Sequence, residues 1–155
     1  MKTANSSPAL ILVTAICLVA TRPALAASQT IQVSGEIHEQ FIQVIVTANG
    51  VTATAADTWT GSLAGDGITH IFSSDVIDFN NGIEENVISR RILFTSDGNL
   101  FLSEVGSRNG DFVSVVSTVV GGTGIFKDAT GQLSLAGVHV NGVQFTYTGS
   151  ITLAQ

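Results

Sequence analysis

From residue 30 onward the chain alternates between apolar and polar positions with a period of two. The C-terminal stretch shows it best: Val143, Phe145, Tyr147, Ile151 and Leu153 fall on one face, and Gln144, Thr146, Thr148, Ser150 and Thr152 on the other, the pattern of a half-buried β-strand. Phe41 to Val46 and Phe112 to Val120 are apolar on both faces, which suits strands covered on the outside by another subunit or layer. No window carries apolar residues at helical spacing against a charged face. The pattern predicts strands near 30–37, 40–48, 51–63 (broken), 68–79, 87–96, 99–105, 112–120, 132–140 and 142–153.

Turn chemistry separates these runs. Asn49-Gly50, Asp66-Gly67, Asn81-Gly82, Asp97-Gly98, Asn109-Gly110 and Asn141-Gly142 are dipeptides that favour the positive-φ turns of hairpins. Between Ser117 and Gly137, Val119-Val120 enters a turn with Gly121, Gly122 and Gly124, passes an apolar anchor at Phe126, and meets a second expected turn at Thr130-Gly131. Eight or nine short antiparallel strands make a barrel or a sandwich. A single eight-stranded antiparallel β-barrel is the preferred all-β fold, because closure removes the exposed edges that an unstapled sheet cannot easily protect.

Composition adds a compartment. Lys2, the apolar run Ala9 to Ala20 and Ala24-Leu25-Ala26 read as a secretory signal peptide over residues 1–26, leaving a barrel domain over residues 27–155 that is secreted or periplasmic. The apolar run is too short to span a bilayer. Cys17, the one cysteine, leaves with the signal, so the fold rests on packing and strand pairing without disulfides. The exported part keeps all twelve acidic residues against four basic ones, a net charge of −8, which argues against nucleic acid and, after cleavage, against membrane as partners.

The run VVGGTGIFKDATGQLSLAGV from Val119 to Val138, the FTYTGSITL of Phe145 to Leu153 and the hairpin LFTSDGNLFLSEV of Leu93 to Val105 together resemble the allene oxide cyclase and dirigent barrel superfamily. The resemblance spans about half of the exported chain, and Ser28 to Ser89 is placed by strand count. It implies an eight-stranded barrel, often a homotrimer, with a hydrophobic lumen that binds a reactive or prochiral small molecule. Such barrels steer cyclisation or coupling without metal or organic cofactor. The plant cyclase's lumen Pro and Cys have no counterpart after residue 26.

Candidate chemistry lies in polar residues set within apolar strands, since burying an ionisable group is costly without a partner or a use. Glu104 follows Leu100 and Leu102 in phase, His70 stands in phase with Ile68 and Phe72, and Tyr147 with Phe145 and Ile151. If those faces line the lumen, Glu104 or His70 is a general acid or base, Tyr147 donates to a substrate oxygen, and Phe72 and Phe145 contact the ligand. The plainer reading pairs Glu104 with Arg91 or Arg108 on the outside and makes Tyr147 a core residue. Trp59 either closes one barrel end or stacks on a ligand. Arg91, beside Arg90 and near Glu84-Glu85, belongs to an ion pair on a solvated face or clamps a substrate carboxylate. Glu36, His38 and Glu39 read as a solvated strand end. His38, His70 and His139 lack the local spacing of a metal site, so no metal is expected. Gly61-Ser62-Leu63-Ala64-Gly65 matches a nucleophile-elbow pattern without its strand-to-helix setting, and the glycines at 121–124 lack the Lys and helix of a phosphate loop.

Three functions follow: an exported cofactor-free isomerase or cyclase acting on an apolar small molecule, a non-catalytic binding protein for a hydrophobic ligand, or a structural homo-oligomeric module. Lumen polarity separates them. Convergent ionisable groups in a cavity favour the first, a purely apolar cavity the second, and a solidly filled lumen the third.

Overall fold

Period-two alternation forces each strand to present one face inward, and here the sheet curls until its first and last strands pair. A computed structural model describes residues 27–47, 50–78 and 80–154; the signal-peptide reading of residues 1–26 lies outside them. Eight strands, β1 (Gln29–Thr47), β2 (Gly50–Gly61), β3 (Gly65–Asp78), β4 (Ile83–Thr95), β5 (Gly98–Asn109), β6 (Phe112–Gly122), β7 (Thr130–His139) and β8 (Val143–Leu153), form an antiparallel up-and-down meander. Closure comes from β1 and β8, paired from Gln29 opposite Leu153 to Glu39 opposite Val143. The one helical element among the described residues is a 3-10 turn at Gly124–Phe126. Phe126 is buried there, and Gly124 holds φ of +59°, where a side chain would strike the Asp97 carbonyl.

The strand boundaries depart from the sequence pattern at four places. The two strands expected over 30–37 and 40–48 are one strand, β1, with its register shifting between Phe41 and Gln43. Glu36-Ile37-His38-Glu39 ends nothing, because Ile37 and Glu39 both point inward while Glu36 and His38 point out. The predicted break in 51–63 is likewise absent, and β2 pairs with β1 without interruption to Gly61. Asp66-Gly67 is not a turn: both residues sit in β3, opposite Phe94 and Leu93 of β4. Thr130-Gly131 is also no turn and opens β7, with Gly131 opposite Ile151.

Inside, the barrel is filled at one end and open toward the other. Val33, Ile37, Trp59, Leu93, Leu100, Leu102, Leu133, Leu135, Tyr147 and Ile151 pack the filled end, capped by Leu63, Phe126 and Ala129. Burial of this set is the main driving force for closure, at about 1.5–3 kcal/mol for each large apolar side chain. The outer wall is divided too. Over β7, β8, β1 and β2 it carries mostly Ser, Thr and Gln together with exposed Ile42, Ile45 and Val138; over β3 to β6 it carries Ile68, Phe72, Ile88, Ile92, Phe94, Val105, Val116 and Val120, all exposed.

Candidate functional site: a lumen acid cluster around Arg91

Above the packed end, four strands each send one ionisable side chain into the lumen: Glu39 from β1, Asp57 from β2, Arg91 from β4 and Glu104 from β5. Each is at most 3% exposed. Strand register builds the cluster. Ser89 and Ser117 lie directly opposite Glu104 on its two neighbouring strands, and each donates its hydroxyl to a Glu104 oxygen, at 2.8 and 3.1 Å. On β3, Thr69 pairs with Arg91 across the ladder and donates to Asp57 Oδ2 at 2.7 Å. Gly67, opposite Asp57, leaves room for that carboxylate; a Cβ at this position would stand 3.2 Å from Asp57 Oδ2 and 2.9 Å from the Ile92 carbonyl.

Arg91 is the centre. Its Nη2 donates to Glu39 Oε2 at 3.0 Å, its Nε lies 3.1 Å from Glu104 Oε1 and 3.7 Å from Asp57 Oδ2, and its guanidinium carbon is 5.7 Å from the ring centres of both Trp59 and Phe145. Burial opposes the guanidinium charge, but Glu104, Asp57 and Glu39 outweigh it and raise the Arg91 pKa. Burial likewise acts first on Glu39 and lifts it from its ordinary value to about 7; Arg91 offsets part of this, while the neighbouring carboxylates Asp57 and Glu104 add to it. Asp57 is also raised by burial, against the pull of Arg91 and the Thr69 hydrogen bond. One cation among three carboxyls cannot neutralise them all, which favours keeping a proton in the cluster and pushes Glu39 and Asp57 both toward their protonated forms. Three buried donors in this region, Arg91 Nε, Arg91 Nη1 and Trp59 Nε1, and one acceptor, Asp57 Oδ1, have no hydrogen-bond partner, although Arg91 Nε stands in ion-pair range of Glu104.

A cavity of about 340 Å³ opens above the cluster, with Glu39, Arg91 and Glu104 in its wall. Phe41, Val44, Val113, Val115, Val143 and Phe145 are among its apolar lining, and Thr69 and Ser89 add hydroxyls. Toward the rim, Glu84 pairs with Arg108 at 3.6 Å, and burial together with Arg108 lowers the pKa of His139. An apolar-walled chamber with an acid–base group in one wall can desolvate a small molecule and move a proton on it. The cation at the heart of the carboxylates is a side chain of the protein; among the described residues no group of His, Cys, Asp or Glu is arranged to hold a metal ion.

Of the residues singled out in the sequence, the lumen brings together Glu104, Arg91, Phe145, Trp59 and Tyr147, and leaves out His70 and Phe72. His70 is on the outer wall, where its Nδ1 meets the Thr54 hydroxyl at 3.0 Å and its ring stands edge-on to Phe72 at 4.6 Å. Phe72 is 46% exposed. The inward residues of β3 are the alternate set, Gly67 and Thr69. Arg91 is not on a solvated face: Glu84 takes Arg108 as its partner, and Glu104 meets Arg91 inside the barrel. Tyr147 accepts from the Leu63 amide at 2.9 Å and donates to the Thr60 carbonyl at 3.0 Å, so its single proton is committed to the chain. Trp59 packs on Tyr147 at 5.0 Å and forms the floor under Arg91. Sequence reasoning passed over Glu39 and Asp57, although Ile37-x-Glu39-x-Phe41 and Ala55-x-Asp57-x-Trp59 hold the inward phase.

No protein-family model matches the chain and no curated protein does. Among solved structures the barrel is similar to pyocyanin demethylase, with a TM-score of 0.52 and 14% identity over 75% of this chain and 98% of that one. It is also similar to the pterocarpan synthase dirigent protein, with a TM-score of 0.52 and 15% identity over 91% of this chain and all of that one. The fold is a dirigent-like barrel. At this level of identity the likeness is one of fold, and the chemistry of this dirigent-like barrel has to be argued from its own lumen.

Proposed function

We propose that this dirigent-like barrel is an exported protein that binds an apolar small molecule in its lumen and steers its cyclisation or rearrangement by proton transfer from Glu39. The observation that carries the reading is Glu39 itself: a carboxyl in the wall of a largely apolar cavity, held at a pKa of about 7 by burial and by its acidic neighbours. A group poised there donates a proton and takes one back near neutral pH. Arg91 and Glu104 hold the geometry, since Glu39 accepts from Arg91 and Arg91 is fixed in turn by Glu104 and two aromatic rings. Most of the cavity wall is apolar, so a proton transferred there acts in a medium where its charge counts for more. Both fold neighbours support a small-molecule lumen: one is pyocyanin demethylase and the other a pterocarpan synthase dirigent protein.

Native mass spectrometry of the protein from its own source tests this. A copurifying small molecule that the protein converts, and that Glu39→Gln binds without converting, is the expected result. A ligand returned unchanged by both proteins makes the barrel a binding protein, and a chamber that holds nothing refutes the reading.

A homo-oligomer, a trimer by the family resemblance, is a second proposal. Ile68, Ile92 and Phe101 face one another across β3, β4 and β5, and Ile88, Val105 and Val116 across β4, β5 and β6. The two apolar rows flank a central row of His70, Arg90 and Ser103, and apolar side chains exposed on this scale fit a second copy of the same face. Ile92→Glu combined with Val105→Lys should then yield monomer by light scattering; an unchanged mass excludes this face.

A further inference from the structure

A lumen arginine ordinarily suggests a clamp for a substrate carboxylate. The count of charges around Arg91 points elsewhere. Its one positive charge already faces Glu39 at 3.0 Å, Glu104 at 3.1 Å and Asp57 at 3.7 Å, and the cavity rim adds the self-neutralised pair of Glu84 and Arg108 together with His139. An arriving anion meets two or three carboxyl groups for one guanidinium, in a medium of low dielectric where the excess is felt strongly. Yet Arg91, 2% exposed and part of the cavity wall, keeps one nitrogen, Nη1, without any acceptor. A buried donor left unmet is a cost that a ligand oxygen removes.

We infer that the lumen selects an uncharged, ring-sized apolar molecule bearing a carbonyl-type acceptor oxygen, which takes a hydrogen bond from Arg91 Nη1, and rejects carboxylates of the same shape. This rests on the proposed lumen site and specifies what it takes. A single substituted aromatic ring fits a cavity of about 340 Å³, and its walls of Phe41, Val113, Val143 and Phe145 meet the ring faces and edges. The acceptor oxygen then lies beside the same guanidinium that holds Glu39, which places it in reach of the carboxyl that carries the mobile proton.

The test is calorimetric titration of the intact protein near pH 6 with four molecules of one shape: 4-ethylacetophenone, 4-ethylbenzoate, 1,4-diethylbenzene and 4-ethylbenzylammonium. The ketone should bind at least about tenfold more tightly than the benzoate and the hydrocarbon. Arg91→Lys keeps the charge and removes the forked donor; with its fold checked by circular dichroism, it should abolish the ketone's advantage and bring the ratio of ketone to hydrocarbon affinity to about one. Glu39→Gln should weaken the rejection of the benzoate. Tightest binding by the benzoate restores the carboxylate clamp and overturns the inference, as does tightest binding by the ammonium ion, which would make carboxylate charge the selecting feature. Equal binding of ketone and hydrocarbon overturns it while the binding lumen stands. Failure of all four to bind overturns both.

Discussion

Replacing Glu39 by Gln should invert the usual consequence of removing a buried charged group, and the effect should depend on pH. In the folded barrel the Glu39 pKa is raised from 4.5 to about 7. Between those two values the unfolded chain has lost the proton and the folded chain has kept it, so stability falls as pH rises through this window. A rise of that size corresponds in full to roughly 3 kcal/mol, of which about 2 to 3 kcal/mol is lost between about pH 5 and about pH 8. Asp57, also raised by burial, contributes in the same direction. His139, whose pKa is lowered, works the other way: its stabilising contribution is present above its unfolded value and lost as pH falls through the window below that value. The difference between variant and wild type removes the His139 contribution, while Asp57, which interacts with Glu39, titrates with it as a pair. Glutamine keeps the shape and stays neutral, so urea denaturation at several pH values should show Glu39→Gln gaining about 2 to 3 kcal/mol on the wild type between about pH 5 and about pH 8. A difference that stays constant across that range would mean that Glu39 is ionised throughout, and the proton-carrying role would fall with it.

Three further substitutions separate lumen from wall. Tyr147→Phe strips the partner from the buried Leu63 amide and the Thr60 carbonyl and should cost about 1–3 kcal/mol, read as a lower urea midpoint with unchanged slope. Gly67→Ala drives a methyl group to 2.9 Å from the Ile92 carbonyl and 3.2 Å from Asp57, and should cost about 1–3 kcal/mol by overpacking; a melting temperature equal to the wild type would show that the strand yields there. His70→Ala, on the outer wall, should leave the affinity of any lumen ligand within about 0.5 kcal/mol of the wild-type value, and a larger loss in titration would place His70 in the ligand path after all.

The architecture was legible because its signals are local. Period-two alternation and Asx-Gly turns each act over a few residues, and Asn81-Gly82, Asp97-Gly98, Asn109-Gly110 and Asn141-Gly142 do link consecutive strands. The failures have one cause, which is that the residue at one position answered to a strand far away in sequence. Asp66-Gly67 has the composition of a turn, but its glycine is small because the Asp57 carboxylate of β2 stands against it. His38-Glu39 has the polarity of a strand end, but Glu39 is polar because Arg91, 52 residues on, needs a carboxylate. Even the inward phase of β3 was misread, since Ile68, His70 and Phe72 offered apolar company to His70 on a face that turned out to be the outer one. Polarity tells inside from outside only where the outside is wet, and over β3 to β6 it is lined with exposed Ile, Phe and Val.

The lumen cluster occupies a layer that apolar side chains could have filled. Four ionisable groups in the lumen are a poor way to fill a barrel, for apolar side chains of equal volume commonly serve stability as well or better than a buried ion network. The adjoining layer shows as much: Leu93, Leu100, Leu133 and Ile151 close the other end with no polar atom among their side chains. The polar layer is nonetheless built with care, each carboxylate of Asp57 and Glu104 receiving hydroxyl donors from neighbouring strands. Those donors leave one oxygen of Asp57, Oδ1, without a partner, while Glu39 takes a hydrogen bond from Arg91 and faces the cavity. Glu39 thus stands in the cavity wall with its pKa raised by burial to about 7, the environment that the proposed proton transfer near neutral pH asks for.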